Sequence, residues 1–404
     1  MKKIDLTAIL LFCLVTPFIM TYGIGPGNTP YWLFGIIFGL LLSYLILEKF
    51  RSIILWLIII LVIGSAVGSS IIVRHRVAPI YQVHDIILQQ EAAIRFLIEG
   101  KNPYAVSYFN TPLEAWHYSD SEVNPALFHF VMMPGYLLLA LPFYFVSNSV
   151  IGYFDGRIPL LVLFFGTLIL AWKLIKTDID KKRLFITLLA FNPATLGYFL
   201  EGRSDVFVFA FLFWGWSWLE KEKLWLAGIP LGLAFAIKQS VWPIFPFYLA
   251  YLWLKKKNWQ SVIKNLIPFA VCFLLIVLPF FVWGPKDFLE STILYLTGNA
   301  PNSYPVSGYG WGMILRDLGL IKDVHNYYPF WIWQAVFCLP LAFFLYRQLK
   351  KRLSVGNLIC IYGIFTLVYW YFSRYFNNSH LGYLSMIFLS AYFWPALESN
   401  KNGN

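Results

Sequence analysis

The chain has 404 residues, of which 59% are hydrophobic, 20% aromatic and only 13% charged, about half the charged share of an ordinary soluble domain. That balance excludes a water-soluble fold. The formal net charge of +11 raises the question of an anionic partner such as nucleic acid, which the placement of the charges answers below in the negative.

Apolar runs of the length that crosses about 30 Å of hydrocarbon as helix recur from Leu6 to Pro395. The pattern predicts an all-α polytopic membrane protein, a single integral membrane domain over 1–404. Twelve crossings are expected, at about 6–22, 30–47, 52–73, 157–172, 184–200, 206–219, 224–237, 241–254, 262–283, 330–346, 355–372 and 380–397. The first, "MKKIDLTAILLFCLVTPFIMTYGIG", has the basic start and apolar middle of a signal peptide. Its long apolar run and the lack of a clear small-x-small cleavage site predict a retained span. Cys13, Cys272, Cys338 and Cys360 fall inside apolar segments without CxxC spacing and read as packing residues.

The first polar crowding is "HDIILQQEAAIRFLIEGKNPY", His84 to Tyr104. Asp85, Gln89, Arg95 and Glu99 share one side at helical spacing, and Ile86, Ile87, Ile94, Leu97 and Ile98 supply an apolar side that Gln90 and Glu91 interrupt. This predicts an amphipathic helix lying on the membrane and ending at Gly100. Asp85 is either a functional carboxylate or a helix cap, and Glu91 either a functional carboxylate or the i+4 partner of Arg95. The following "YFNTPLEAWHYSDSEVNPALFH" offers Trp116 and Tyr118, suited to a saccharide or to an interfacial aromatic belt. His117, Asp120, Glu122 and His129 in the same loop lack a metal-ligand spacing, and no metal or other cofactor is expected. The apolar stretch 125–147 is interrupted by Pro134 and Pro142 and reads as a broken or re-entrant interfacial segment rather than a crossing.

Further along, "FNPATLGYFLEGRSD" (191–205) ends a span on Glu201, Arg203 and Asp205, charges that must be wet, paired or used at such a place. In "GLAFAIKQSVWPIFPFYLAY" (232–251), Lys238 and Gln239 follow an apolar run; a lone lysine there either snorkels or meets an anion. The Gly- and Pro-rich 298–319 segment reads as a flap over a site or an ordinary long connector. "WYFSRYFNNSH" (370–380) adds Arg374 and His380.

Charge fixes the expected orientation. With 125–147 not crossing, one side carries 20 Lys/Arg against 7 Asp/Glu and the other 11 against 13, with all six His on the second side. The positive-inside rule makes the first side cytoplasmic, so the basic excess is a topology signal and needs no nucleic acid. The outer side owns the two long loops, about 74–156 and 284–329, and is where chemistry is expected.

The acidic residue in the first large outer loop, the "GKNPY" turn, the proline-marked 125–147 segment, the "GRSD" cluster and "LGLAFAIKQSVWPIFPFYL" together resemble the GT-C superfamily of polyprenyl-phosphate-sugar-dependent glycosyltransferases, its mannosyl- and glucosyltransferases in particular. The resemblance covers about 75–385. The chain departs from it in placing two additional spans, 30–73, before the acidic loop. It implies about 12 transmembrane helices plus outer juxtamembrane helices, and inverting transfer of a hexose, mannose foremost, from a polyprenyl or dolichyl monophosphate to a hydroxyl of a lipid-linked, glycan or protein acceptor. In a prokaryote the enzyme would sit in the cell membrane with its site on the extracytoplasmic face. Asp85 matches the family's catalytic carboxylate, with Glu91 as the alternative. Lys238, Arg203, Arg374 and His84 are the expected phosphate ligands; Glu201, Asp205, Gln239, Trp116 and Tyr118 the expected substrate contacts. Two other readings stand beside this one: a transporter or flippase of lipid-linked saccharides, which expects charges at mid-membrane depth and an inverted repeat, and an O-antigen-ligase-like transferase, which expects outer Arg and His rather than an acidic loop.

Overall fold

A computed structural model of the chain describes residues 5–22, 31–118, 122–176 and 178–394; Asp120 and Lys401 lie outside them. The described residues are helical nearly throughout, apart from loops and two strands of two residues each. Among the described residues, four helices are long and apolar enough to cross a membrane by length and composition: Glu48–Val77, Arg157–Leu174, Trp259–Trp283 and Phe330–Lys351. Shorter apolar helices include Tyr31–Ile46, Leu224–Ile237 and Val355–Tyr371. Large apolar side chains stand exposed along the long helices, among them Leu275, Val282, Leu339 and Phe343, as expected of a membrane protein whose solvent is hydrocarbon.

Each predicted crossing coincides with helix, with one break. The 184–200 segment divides into helices Ile179–Ala190 and Leu196–Leu200. Pro193 has no N–H to continue the ladder, and Asn192 turns the chain by accepting from the Ala194 amide at 3.0 Å and donating to Ser385 Oγ at 2.7 Å. The 125–147 stretch is also broken, into a 3₁₀ turn Pro125–Leu127 and helices Gly135–Leu138 and Leu141–Ile151, the interruptions falling where its prolines stand.

Leu224–Ile237 packs closely on Trp259–Trp283. A Cβ at Gly228 would lie 2.9 Å from the Phe269 nitrogen, and one at Gly232 2.6 Å from the Phe269 oxygen. Glycines four residues apart allow this backbone approach, which settles the helix that ends at Lys238.

The helix Asp85–Ile98 forms where expected, and Gly100 follows it with φ +75°. It does not lie on a surface. Gln89, Gln90 and Glu91 are buried like Ile87 and Ile94, because each of these side chains finds at least one partner within the protein. Gln89 Nε2 donates to the carbonyls of Ala126 and His129, and Gln90 Nε2 to that of Tyr136. The two residues that spoil the amphipathic pattern are among those that seat the helix.

Candidate active site

A cavity of about 820 Å³ opens at one end of the helix bundle. It gathers Asp85, Arg203, Lys238 and Arg374 in its lining, bringing together segments nearly 300 residues apart in sequence. Each arrives at a helix terminus: Asp85 opens its helix, Arg203 stands two residues before Asp205–Glu220, Lys238 follows Ile237, and Arg374 lies between Tyr371 and Asn378. The walls are strongly aromatic, including Tyr295, Tyr304, Tyr328 and Trp331.

Asp85 is 5% exposed and does not cap its own helix. Its Oδ1 lies 2.6 Å from His84 Nδ1, and its Oδ2 accepts from Tyr118 Oη at 2.7 Å and, at 3.4 Å, from Asn124 Nδ2. One ring nitrogen cannot both donate and accept, so the short Asp85 contact places the proton on His84 Nδ1 and leaves the 3.3 Å approach of the Ile86 amide secondary. Burial alone would raise the carboxyl's pKa; the charge and hydrogen bond of His84, with the donors Tyr118 and Asn124, outweigh it and hold Asp85 below its ordinary value. His84 is itself fixed, its amide donating to the Glu201 carbonyl at 2.8 Å and its ring 5.6 Å from that of Trp116.

Lys238 meets an anion rather than snorkelling: its Nζ is 2.7 Å from Asp205 Oδ1. Arg203 is 3.2 Å from Glu201 through Nε, with its guanidinium 4.4 Å from the Tyr198 ring. An ammonium has three donors and a guanidinium five, so both cations retain hydrogens beyond these contacts. Arg374 differs. Although it lines the cavity, its guanidinium donates to the backbone carbonyls of Tyr304, Val324, His325 and Asn326, so it staples the 298–329 segment. That segment is pinned again where Ser307–Gly308 pairs in parallel with Tyr375–Phe376. Gly308 has φ +89°, and a Cβ there would lie 2.1 Å from the Phe376 oxygen, so only glycine suits the junction. The segment is a fastened wall, not a free flap.

Gln239 lines the cavity, but its amide donates to the carbonyls of Val131 and Thr292 at 2.9 Å each. Thr292 lies in a π-helical turn, Glu290–Leu294, a feature common at functional sites; the next residue, Tyr295, reaches the cavity. Glu201, Trp116 and Glu91 do not line it. Glu201 contributes its main chain, and Trp116 donates to the Val83 carbonyl at 2.9 Å and meets Tyr118 edge-on, ring centroids 4.5 Å apart. His129 Nε2 is 2.7 Å from the Pro301 carbonyl.

Glu91 takes part in a different structure. Both its oxygens lie 2.8 Å from the Arg74 guanidinium, while Arg95, its expected partner, is exposed. Arg74 also bonds Asp155 at 2.7 Å, and Asp155 in turn bonds Arg157 at 2.8 Å. Arg157 reaches Ser70 Oγ and the carbonyls of Gln82 and Leu200. These two cations and two carboxylates are all buried. Burial pushes the Asp155 carboxyl up, yet hydrogen bonds from Arg157 and His75 and the charges of the two arginines hold it well below the ordinary range. The network locks the Asp85 helix to the start of Arg157–Leu174 and to the chain just before Glu201. Sequence reading passed over "FDGRI" (154–158), although charges stranded between apolar runs are the same signal that singled out 201–205.

A family model, Glycosyltransferase family 87, matches residues 130–376, more than half of the chain. No curated protein and no solved structure matches it.

Proposed function

This chain belongs to glycosyltransferase family 87, and from that premise we propose that its cavity transfers a hexose from a polyprenyl or dolichyl monophosphate to an acceptor hydroxyl, with inversion, on the extracytoplasmic side of the membrane. Mannose is the expected sugar, and a lipid-linked, glycan or protein hydroxyl the acceptor. The observation that carries the reading is the pairing, in one cavity, of a carboxylate held ionised with two cations that keep free donors.

Little else is required. A lipid phosphate leaves without protonation, so the second carboxylate of a glycoside hydrolase has no counterpart here. As the anomeric carbon–phosphate oxygen bond breaks, the acceptor oxygen bonds to that carbon and gives its proton to Asp85. Polyprenyl phosphate departs with growing negative charge, which Lys238 and Arg203 stabilise. Asp205 and Glu201 hold those cations, and Asp205, which lines the cavity, is placed to meet sugar hydroxyls. Arg374 shapes the phosphate side through the wall it fastens, and Glu91 supports the helix rather than serving as the base. The basic excess on the opposite helix ends supports the extracytoplasmic placement.

The test is transfer or release of hexose from synthetic polyprenyl-phosphate-mannose and -glucose by the purified full chain, wild type against Asp85→Asn. Turnover that depends on Asp85 is expected. Undiminished turnover by the variant removes the mechanism; inertness of both donors removes the donor class.

A further inference from the structure

The Asp85 carboxylate does not face the cavity bare. A carboxylate that is to take a proton from an alcohol must first accept a hydrogen bond from that alcohol's hydroxyl, and here a phenol already makes one. The 2.7 Å Tyr118 Oη to Asp85 Oδ2 contact has the length of an O–H···O⁻ bond. The other donor on this oxygen, Asn124 Nδ2, is distant at 3.4 Å.

The three groups around Asp85 are held unequally. His84 is anchored through its backbone to Glu201 and its ring lies against Trp116. Asn124 is 1% exposed and caps the next turn through Ala126 N. Tyr118 is 49% exposed, and apart from Asp85 its ring meets Trp116 edge-on. Of the three donors it is the one free to leave.

We propose that the Tyr118 hydroxyl stands in for the acceptor at Asp85, shielding the base from water until an acceptor hydroxyl displaces it. This rests on the transfer reading above. Water is a competing acceptor for the same step: its proton goes to Asp85, the anomeric carbon–phosphate oxygen bond breaks, the carbon–water oxygen bond forms, and free hexose and polyprenyl phosphate result. A base occupied by a protein hydroxyl admits an alcohol that brings its own binding contacts but not a lone water.

Two measurements test this. With the donor alone, polyprenyl-phosphate-mannose or -glucose, Tyr118→Phe is expected to release free hexose about tenfold faster than wild type. Asp85→Asn in that background is expected to return release to the slow level. Because the phenol's hydrogen bond favours the ionised carboxylate, the acid limb of release shifts to higher pH in Tyr118→Phe. Release that is unchanged overturns the proposal; slower release makes Tyr118 a proton-passing group and overturns it as well. Independently of any donor, modification of Asp85 by a hydrophobic carbodiimide, read by peptide mass spectrometry, is expected to be faster in Tyr118→Phe, and equal rates overturn the proposal. If both donors prove inert, the labelling still decides this inference, while the inertness counts against the donor assignment alone.

Discussion

Two groups of charge depend on one helix, Asp85–Ile98, and their roles diverge within six residues. At Glu91 the charges form a closed set: Glu91 is bidentate to Arg74, and Asp155 is shared between Arg74 and Arg157, all behind protein and in balance. At Asp85 the set is open. Lys238 and Arg203 have one carboxylate partner each, they retain donors, and they border a cavity of about 820 Å³. Complete pairing away from solvent makes a clamp, because any change leaves a bare buried charge. Incomplete pairing beside a cavity leaves capacity for a substrate.

The comparison breaks most sharply on Asp85→Asn and Asp155→Ala. The first is expected to lower kcat at least ~10³-fold, the scale of a lost general base and its hydrogen bond to the reacting hydroxyl, with a smaller loss of thermal stability in the detergent-solubilised protein than the second. The second is expected to cost about 3–5 kcal/mol, the scale for one partner removed from a buried pair, seen as a lowered midpoint in fluorescence-detected size exclusion. The two regions would be misassigned if the first unfolded the protein and the second only slowed it. Next in size, Lys238→Ala should raise the donor KM about 10–100-fold, the worth of roughly 1.5–3 kcal/mol for a charged hydrogen bond, with restoration by Lys238→Arg. A donor KM that does not move would take Lys238 out of the phosphate site. Smaller still, Glu91→Gln should lose about 1–2 kcal/mol of stability while the folded fraction keeps kcat within a few-fold; a kcat collapse would hand the base role to Glu91.

The smallest effect concerns pH. Asp85 has its folded pKa depressed, so it is ionised above that value, and kcat/KM should stay flat from about pH 7 down to about 5, above the ordinary aspartate range near 3.9. An acid limb near pH 6 would contradict this. Asp155 follows the same sign: its stabilisation is fully present above the unfolded value and is lost only as pH falls through the lower folded one, so the Asp155 share of the clamp should persist until below about pH 4.

Much of this was legible from residue order. The length of the apolar runs placed the long apolar helices, because lipid demands that each crossing satisfy its own backbone. Asp85, Arg203, Asp205 and Lys238 stood out as polar groups stranded at helix ends. Convergence was not legible, since it depends on close packing such as that at Gly228 and Gly232. Nor were Tyr295 and Tyr304, because aromatics make up 20% of the chain and another tyrosine carries no signal. Glu91 was misjudged for a physical reason: i+4 spacing favours Arg95 by a few tenths of a kcal/mol on an exposed face, whereas tertiary burial brought Arg74 from another helix. The buried flank of the Asp85 helix was hidden likewise, since the partners that make glutamines burial-tolerant are backbone carbonyls 37 to 46 residues away.

The pairing of Ser307–Gly308 with Tyr375–Phe376 bears on when the site exists during biosynthesis. A chain made from its N-terminus places the Asp85 helix and its clamp long before residues 369–380 emerge. Until those residues arrive, the 298–329 segment lacks both its strand partner and the Arg374 staple, so the nascent protein carries Asp85 without an enclosed chamber. The cavity wall is therefore completed late in translation, and a ribosome stalled between residues 330 and 370 would display a chain whose 298–329 segment is still unfastened.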